Sequence, residues 1–333
     1  MTDNVLSIRE LSCDFLAVEG IVYAVNGVNL DLRRAEIHGL VGESGCGKSV
    51  SARAVLGLLD RKRCRVGGSV DFDGNNLLLL SEREMRALRG RRISMIFQDP
   101  QNSLSPLETA GMQIEEAIAN HLPAAKGERR RLAASLLERV GLPPDTAARY
   151  PFELSGGMQQ RVMIAQAISC NPELLVADEP TTALDVTIQA QVLRLLETLR
   201  DELSLSVLLI THNFAVVAEV CDRVSVMYAG FIVETAEAAE LIRFPAHPYS
   251  RALVNCIPKG RAAGGAGPLP VIPGFPPRLY EPPWGCPFSP RCPKRGSACA
   301  ERPGSRDLGG GHVVFCHYPE YAPNGDRSFR EAP

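Results

Sequence analysis

The chain has 333 residues, 45% of them hydrophobic, enough for a substantial α/β domain and a smaller accessory region. Lys+Arg 36 against Asp+Glu 38 leaves a net charge of -2, which argues against a dedicated nucleic-acid binder. No stretch approaches the roughly 20 apolar residues that span a bilayer, and Met1-Thr2-Asp3-Asn4 has neither the basic start nor the apolar core of a signal peptide. The expectation is a cytosolic chain that would serve a membrane process only by docking onto other subunits.

In chain order, Ala35 to Val41 reads as a strand, and the Gly-rich turn after it feeds a helix from about Gly47. Arg92 to Phe97, Leu174 to Ala177 and Val207 to Ile210 are compact apolar runs suited to buried parallel strands. Between Gln98 and Ser155 the pattern turns helical, clearest at Glu115 to Ala119 and Arg129 to Val140. That alternation predicts an α/β core with a helical insertion between strands; Arg129-Arg130-Arg131 reads as a solvated helix face. From Pro258 to Pro287 proline and glycine dominate, as in Gly264-Gly265-Ala266-Gly267 and Pro276-Pro277. Such a segment is neither helix nor central strand, so it reads as a linker to a small cysteine-bearing tail.

Gly42-Glu43-Ser44-Gly45-Cys46-Gly47-Lys48-Ser49 fits G-x-x-x-x-G-K-[ST] between a predicted strand and a predicted helix. Glycines let backbone N–H groups curl around phosphate oxygens, and the following helix offers its unpaired amides and positive dipole end. Lys48 suits the β- and γ-phosphates, and the Ser49 hydroxyl suits Mg²⁺. Much later, the apolar run Leu174 to Ala177 ends in Asp178-Glu179-Pro180. Carboxylates at the C-terminal edge of a strand sit where open α/β sheets bind ligands. Asp178 suits Mg²⁺, and Glu179 suits orienting or deprotonating an attacking water.

Leu154-Ser155-Gly156-Gly157-Met158-Gln159-Gln160-Arg161 makes the reading specific. With the phosphate loop and the Asp-Glu pair, it resembles the signature of ABC ATPases. Gln98 resembles the Q-loop glutamine, Ala183-Leu184-Asp185 the D-loop, and His212 the switch histidine. Each alone has a plainer reading: Ser155 as a helix cap, Gln98 as a strand end, His212 as a polar turn residue. The resemblance spans about residues 5 to 258 and implies a P-loop NTPase (RecA-like) core with an antiparallel β subdomain and a helical insertion. It implies a nucleotide-binding domain over 1–244, with a helical subdomain at about 99–170, and an extension over 245–333. It implies ATP bound by Gly42, Ser44, Gly45, Cys46, Gly47, Lys48, Ser49 and Val50, with Mg²⁺ held by Ser49, Gln98 and Asp178. Asp185 belongs to the same site, and Phe15 would stack on adenine, with Tyr23 as its rival. Two cassettes would close head-to-tail, bringing Ser155, Gly156 and Gly157 of one against the γ-phosphate held by the other, beside Glu179 and His212.

Tyr150-Pro151-Phe152-Glu153 and His247-Pro248-Tyr249-Ser250-Arg251-Ala252-Leu253, with Ile257-Pro258, resemble dipeptide and oligopeptide importer ATPases, whose relatives also move nickel, glutathione or sugars. The His247 segment reads as a short helix opened by Pro248, a mark of lineage rather than of chemistry. Ten cysteines are present. Cys13, Cys46, Cys64, Cys170, Cys221 and Cys256 read as buried, inert thiols. Cys286, Cys292, Cys299 and Cys316 read as a metal site, since a reducing cytosol argues against disulfides. Cys286-Pro287 and Cys292-Pro293 suit a [4Fe-4S] cluster, which some importer ATPases of this type carry in such a tail; Zn²⁺ is the rival. His312 and His317 flank the last cysteine as substitute ligands. The resemblance further implies a second, different ATPase subunit, two transmembrane permease subunits and an extracytoplasmic substrate-binding protein. It implies a peripheral place on the cytoplasmic face of the inner membrane, and no nucleic-acid partner.

Overall fold

The computed structural model describes residues 4–99, 103–182, 184–257, 271–281 and 284–320. Pro100, Ala183, Pro258 and the Gly264–Gly267 run therefore lie outside the described residues. An eight-stranded sheet forms the centre. Its parallel part takes β6 (Ile93–Ile96), β7 (Leu174–Asp178), β8 (Ser206–Thr211), β3 (Ile37–Val41) and β9 (Arg223–Tyr228) in that spatial order. Strands β3, β7 and β8 are buried at every position. That is why their sequences read as unbroken apolar runs rather than alternating ones.

A second sheet of four strands is antiparallel throughout. Two long strands, β1 (Asn4–Ala17) and β2 (Gly20–Arg33), form its hairpin, and β4 (Cys64–Phe72) and β5 (Asn75–Asn76) follow. Apolar side chains of this sheet, such as Leu6, Leu32 and Phe72, pack with Leu40, Val176 and Ile210 of the central sheet across helix α1 (Lys48–Val55). After β6 come α3 (Ala110–His121), α4 (Lys126–Arg139) and α5 (Gly156–Ala167), with the short α2 (Glu82–Leu88) before it. Ile114, Ile118, Leu137 and Ile164 of that helical group share one apolar cluster with Leu175 and Leu209 of the sheet. Arg130 meets Glu115 at 3.8 Å on its surface, a weak solvated pair.

The last part of the chain departs from expectation. Strands β10 (Phe231–Glu237), β11 (Arg306–Asp307) and β12 (Val313–Val314) extend the central sheet antiparallel beyond β9. The cysteine-bearing tail is thus hydrogen-bonded into the central sheet, while most of the expected linker lies outside the described residues. Period-two patterning cannot announce strands two residues long. Of the six cysteines expected to be buried, Cys13, Cys46 and Cys64 are, whereas Cys170, Cys221 and Cys256 are only partly covered.

Candidate functional site

The phosphate loop lies between β3 and α1, at the C-terminal edge of the parallel strands. Gly42 and Gly47 are there because nothing larger fits. A Cβ on Gly42 would stand 2.1 Å from the Met227 carbonyl oxygen, and one on Gly47 2.3 Å from that of Ala24. Gly47 also holds φ at 106°, as the left-handed residue that opens α1. The exposed Ser44 and Gly45 form the tip of the loop, while Cys46 is buried beneath it and Val50 is half-buried against the cluster of Leu6, Phe72 and Leu40 between the two sheets. The Lys48 ammonium is buried and donates to the carbonyls of Gly42 at 2.8 Å and Glu43 at 2.9 Å. It is thereby folded back along the loop where anionic oxygens would sit.

Two acids close the site from β7. The Ser49 hydroxyl donates to Asp178 Oδ1 at 2.8 Å, joining the two groups expected to serve Mg²⁺. Burial raises the Asp178 carboxyl above its ordinary range, and the neighbouring Glu179 charge adds to this while the Ser49 bond opposes it. A divalent cation would remove that penalty, which fits Asp178 and Ser49 as its ligands.

Glu179 follows with φ at 48°, a strained setting for a non-glycine residue. Its Oε2 accepts from Gln98 Nε2 at 3.0 Å and from the Thr182 hydroxyl at 2.9 Å. His212 Nδ1 lies 3.1 Å from its Oε1. Burial works to raise the Glu179 pKa, but the His212 and Thr182 bonds and the Lys48 charge carry it below the usual carboxylate range. Glu179 is thus an ionised carboxylate at neutral pH with aimed donors around it, the state required of a base or water-orienting group. The structure therefore brings together Lys48, Ser49, Gln98, Asp178, Glu179 and His212. Thr182 was not anticipated; its place three residues after Glu179, where the chain turns back, is the only signal for it.

Ser155, Gly156 and Gly157 stand apart from this group, at the surface end of α5. The Ser155 hydroxyl accepts the Met158 N–H at 3.4 Å as a helix cap, and Ser155 and Gly156 remain exposed. A Cβ on Gly157 would meet Ile188 at 2.6 Å, so this glycine lets α5 approach α6 (Val186–Leu203). Asp185 is exposed and caps α6 through the Ile188 N–H at 2.9 Å. On the hairpin, Phe15 pairs with Val22 and packs partly against the cluster of Leu6, Phe72 and Leu40 between the two sheets, while Tyr23 pairs with Asp14.

In the tail, Cys286, Cys299 and Cys316 are buried and Cys292 is partly covered. Cys286, Cys292 and Cys299 share one packed cluster, and all three lie within electrostatic reach of Cys316. Among the described residues, however, no three His, Cys, Asp or Glu side chains stand close enough to hold a metal ion. The expected cluster is therefore met by a gathering of thiols and not by an assembled ligand set. The two flanking histidines are engaged elsewhere: His312 Nε2 lies 2.7 Å from Glu234, and His317 Nε2 lies 3.0 Å from the Glu301 carbonyl. The His247 segment also proves more than a mark of lineage. His247 caps α9 (Pro248–Asn255), and the Tyr249 hydroxyl accepts the Glu43 N–H at 2.9 Å, inside the phosphate loop.

Comparison with known proteins agrees with this geometry. Residues 25–182 match the ABC transporter family, and residues 233–299 match the oligopeptide/dipeptide transporter C-terminal region. The chain is 50% identical to a probable peptide ABC transporter ATP-binding protein of Sinorhizobium fredii, over 94% of this chain and 95% of that one. It is 44% identical to the dipeptide transport ATP-binding protein DppD of Bacillus subtilis, over 94% of each chain. It is equally 44% identical to the oligopeptide transport ATP-binding protein OppD of Escherichia coli, over 95% of this chain and 94% of that one. A dimeric ATP-binding cassette solved in a post-hydrolysis state with ADP and Pi superposes with a TM-score of 0.64 at 29% identity, covering 70% of this chain and 98% of that one. Among the described residues no helix is long and apolar enough to cross a membrane. The chain belongs to the ABC transporter ATP-binding proteins, in the branch that carries the oligopeptide/dipeptide transporter C-terminal region.

Proposed function

We propose that this chain binds and hydrolyses ATP to energise the import of dipeptides or oligopeptides through an ABC transporter. One observation carries the reading: Glu179, an ionised carboxylate, receives Gln98, Thr182 and His212 one residue beyond Asp178, which is itself bonded to the phosphate-loop Ser49. Lys48 and the amides from Gly45 to Ser49 bind the β- and γ-phosphates. Glu179 orients the attacking water and takes its proton, and His212 steadies the γ-phosphate beside it. Ser49, Asp178 and Gln98 would hold Mg²⁺, which would supply neutralisation of charge on the phosphates. The exposed tip at Ser155, Gly156 and Gly157 completes a neighbouring cassette's site, because a helix N-terminus aimed at an anion is favourable. Phe15 takes the adenine, with Tyr23 as the alternative on the same hairpin.

The cargo assignment follows the names of the relatives, which are dipeptide and oligopeptide transport proteins. The working assembly is then a second, different ATPase subunit, two permease subunits and an external binding protein, with this chain peripheral on the cytoplasmic face of the inner membrane. The nucleotide-binding domain spans 1–244 and the extension 245–333. Within the extension, Cys286, Cys292, Cys299 and Cys316 would hold a [4Fe-4S] cluster by drawing closer together than they stand here; their gathering supports the reading. Such a group supplies folding energy to a segment with little apolar core of its own. Anaerobic purification with iron, sulfide and zinc analysis tests it: iron and sulfide lost on Cys316→Ser support the cluster, and zinc alone overturns it.

The decisive test of the main reading is ATP turnover by Glu179→Gln in the assembled transporter. A general base is worth about 10²- to 10⁴-fold, so turnover should fall by at least about 100-fold with ATP binding retained. Unchanged turnover removes Glu179 from the chemistry.

A further inference from the structure

The C-terminal extension reaches the phosphate loop at one residue, Glu43, and does so twice. The Glu43 N–H donates to the Tyr249 hydroxyl at 2.9 Å. Its carboxylate receives both prongs of Arg291, Nη1 to Oε2 at 2.7 Å and Nη2 to Oε1 at 3.0 Å. The carbonyl of the same Glu43 accepts the Lys48 ammonium at 2.9 Å. One loop residue thus links the phosphate-binding lysine to two side chains from outside the cassette.

Arg291 is held as firmly as it holds. Besides its two bonds to Glu43, its Nε donates to the Pro273 carbonyl at 2.8 Å, Nη1 to the Tyr228 hydroxyl at 3.3 Å and Nη2 to the Ile272 carbonyl at 3.4 Å. With five N–H donors on a guanidinium, every one is matched. Its side chain is only 5% exposed, with the rings of Tyr228 and Phe288 at 5.8 and 6.0 Å. A planar fork so engaged specifies one position for the carboxylate it grips. Arg291 lies in the turn Ser289–Arg291, between Cys286 and Cys292. Any change in how those two cysteines are held moves the backbone that carries the guanidinium. A second contact runs in parallel: the Tyr23 N–H donates to the Leu279 carbonyl at 2.8 Å, tying the tail to the β1–β2 hairpin.

We propose that Arg291, acting through Glu43, is a positioning residue for the phosphate loop, and that the four-cysteine segment is thereby an allosteric element of nucleotide binding. This rests on the reading that the loop around Lys48 holds ATP. Coupling of this kind is reciprocal: the tail sets affinity for ATP, and ATP in turn tightens the tail. A purely structural clamp would lower stability without linking the two.

The test uses the full chain, a fluorescent ATP analogue and amide hydrogen exchange, on the wild type and on Lys48→Ala, Arg291→Gln, Arg291→Lys, Glu43→Gln and the double variant Glu43→Gln with Arg291→Gln. Arg291→Gln and Glu43→Gln should each weaken binding about tenfold, a typical allosteric factor, and the double variant should be no weaker than either single one. Arg291→Lys should not rescue, because an ammonium cannot present the fork. In the assembled transporter the KM for ATP should rise with kcat held within about twofold, the signature of lost uniform binding. The analogue should slow exchange across residues 286–299 in the wild type and not in Arg291→Gln. Wild-type affinity in Arg291→Gln, or an exchange pattern that ignores nucleotide, overturns the coupling. If Arg291→Gln does not fold, Glu43→Gln decides in the same way, since its change lies in the loop and not in the tail. A wild type that binds no better than Lys48→Ala sinks the ATP reading itself.

Discussion

The phosphate site and the cysteine tail were both approached through residue spacing, and they answered differently. In the cassette, residues as far apart as Gln98, Glu179 and His212 meet within hydrogen-bond distance. In the tail, four cysteines gather without forming a ligand set, and the two histidines beside them turn to other partners. The difference lies in what holds each group. Glu179 and His212 follow the fully buried parallel strands β7 and β8, whose register leaves them one position, and Gln98 follows their neighbour β6. The tail residues sit on short turns positioned by contacts to β10, α9 and the phosphate loop, and spacing carries no record of those contacts.

That comparison can be broken most directly at Gly42. If strand-end geometry governs the cassette, Gly42→Ala should cost about 3 kcal/mol or more, since the new methyl collides with backbone that cannot move aside. Denaturant unfolding, together with loss of ATP binding, measures this, and a stable, ATP-binding variant would show the loop to be looser than its register suggests.

The tail side is sharpened through His247. Burial pulls its pKa from 6.5 down to about 4, against the opposing pull of Glu234. The folded state therefore binds fewer protons than the unfolded one below pH 6.5. Stability from this residue is complete above pH 6.5, declines as pH falls towards about 4, and amounts to on the order of 3 kcal/mol. His247→Asn keeps a capping oxygen without the titration, so its stability should fall less steeply over that window. Parallel slopes for the two proteins would place the proton uptake elsewhere.

Smaller effects distinguish the two hairpin aromatics. The one that stacks on adenine should lose about 1 kcal/mol of ATP binding when replaced by alanine, while the other changes stability alone. Isothermal titration of Phe15→Ala and Tyr23→Ala separates them, and equal losses would remove the stacking assignment from both. Ser155→Ala should cost about 1 kcal/mol of helix capping in the isolated chain. It should reduce turnover far more in the assembled transporter, where on the proposed function the same hydroxyl would face a neighbour's nucleotide. Equal modest effects in both settings would reduce Ser155 to a cap.

The core strands and the meeting of Gln98, Glu179 and His212 were legible because buried parallel strands read as apolar runs and because phosphate chemistry restricts residue types. Thr182 was less so, since a hydroxyl in a turn has many uses. Arg291 was not legible at all: its partner Glu43 lies 248 residues away, and nothing near either residue hints at the other. The tail's pairing with the central sheet was hidden for a related reason: its strands are too short to show a period.

The edge strand β12 has a further consequence. It covers β10 with ladder pairs at Glu234 and Thr235, and His312 beside it meets the fully buried Glu234 carboxylate, which also accepts the N–H groups of Ala246 and His247. A cassette ending before residue 300 would bare an open row of peptide groups and strip one partner from a buried acid. Such a truncated chain should self-associate edge to edge, so the residues that carry β11 and β12 would guard the sheet edge as well as complete it.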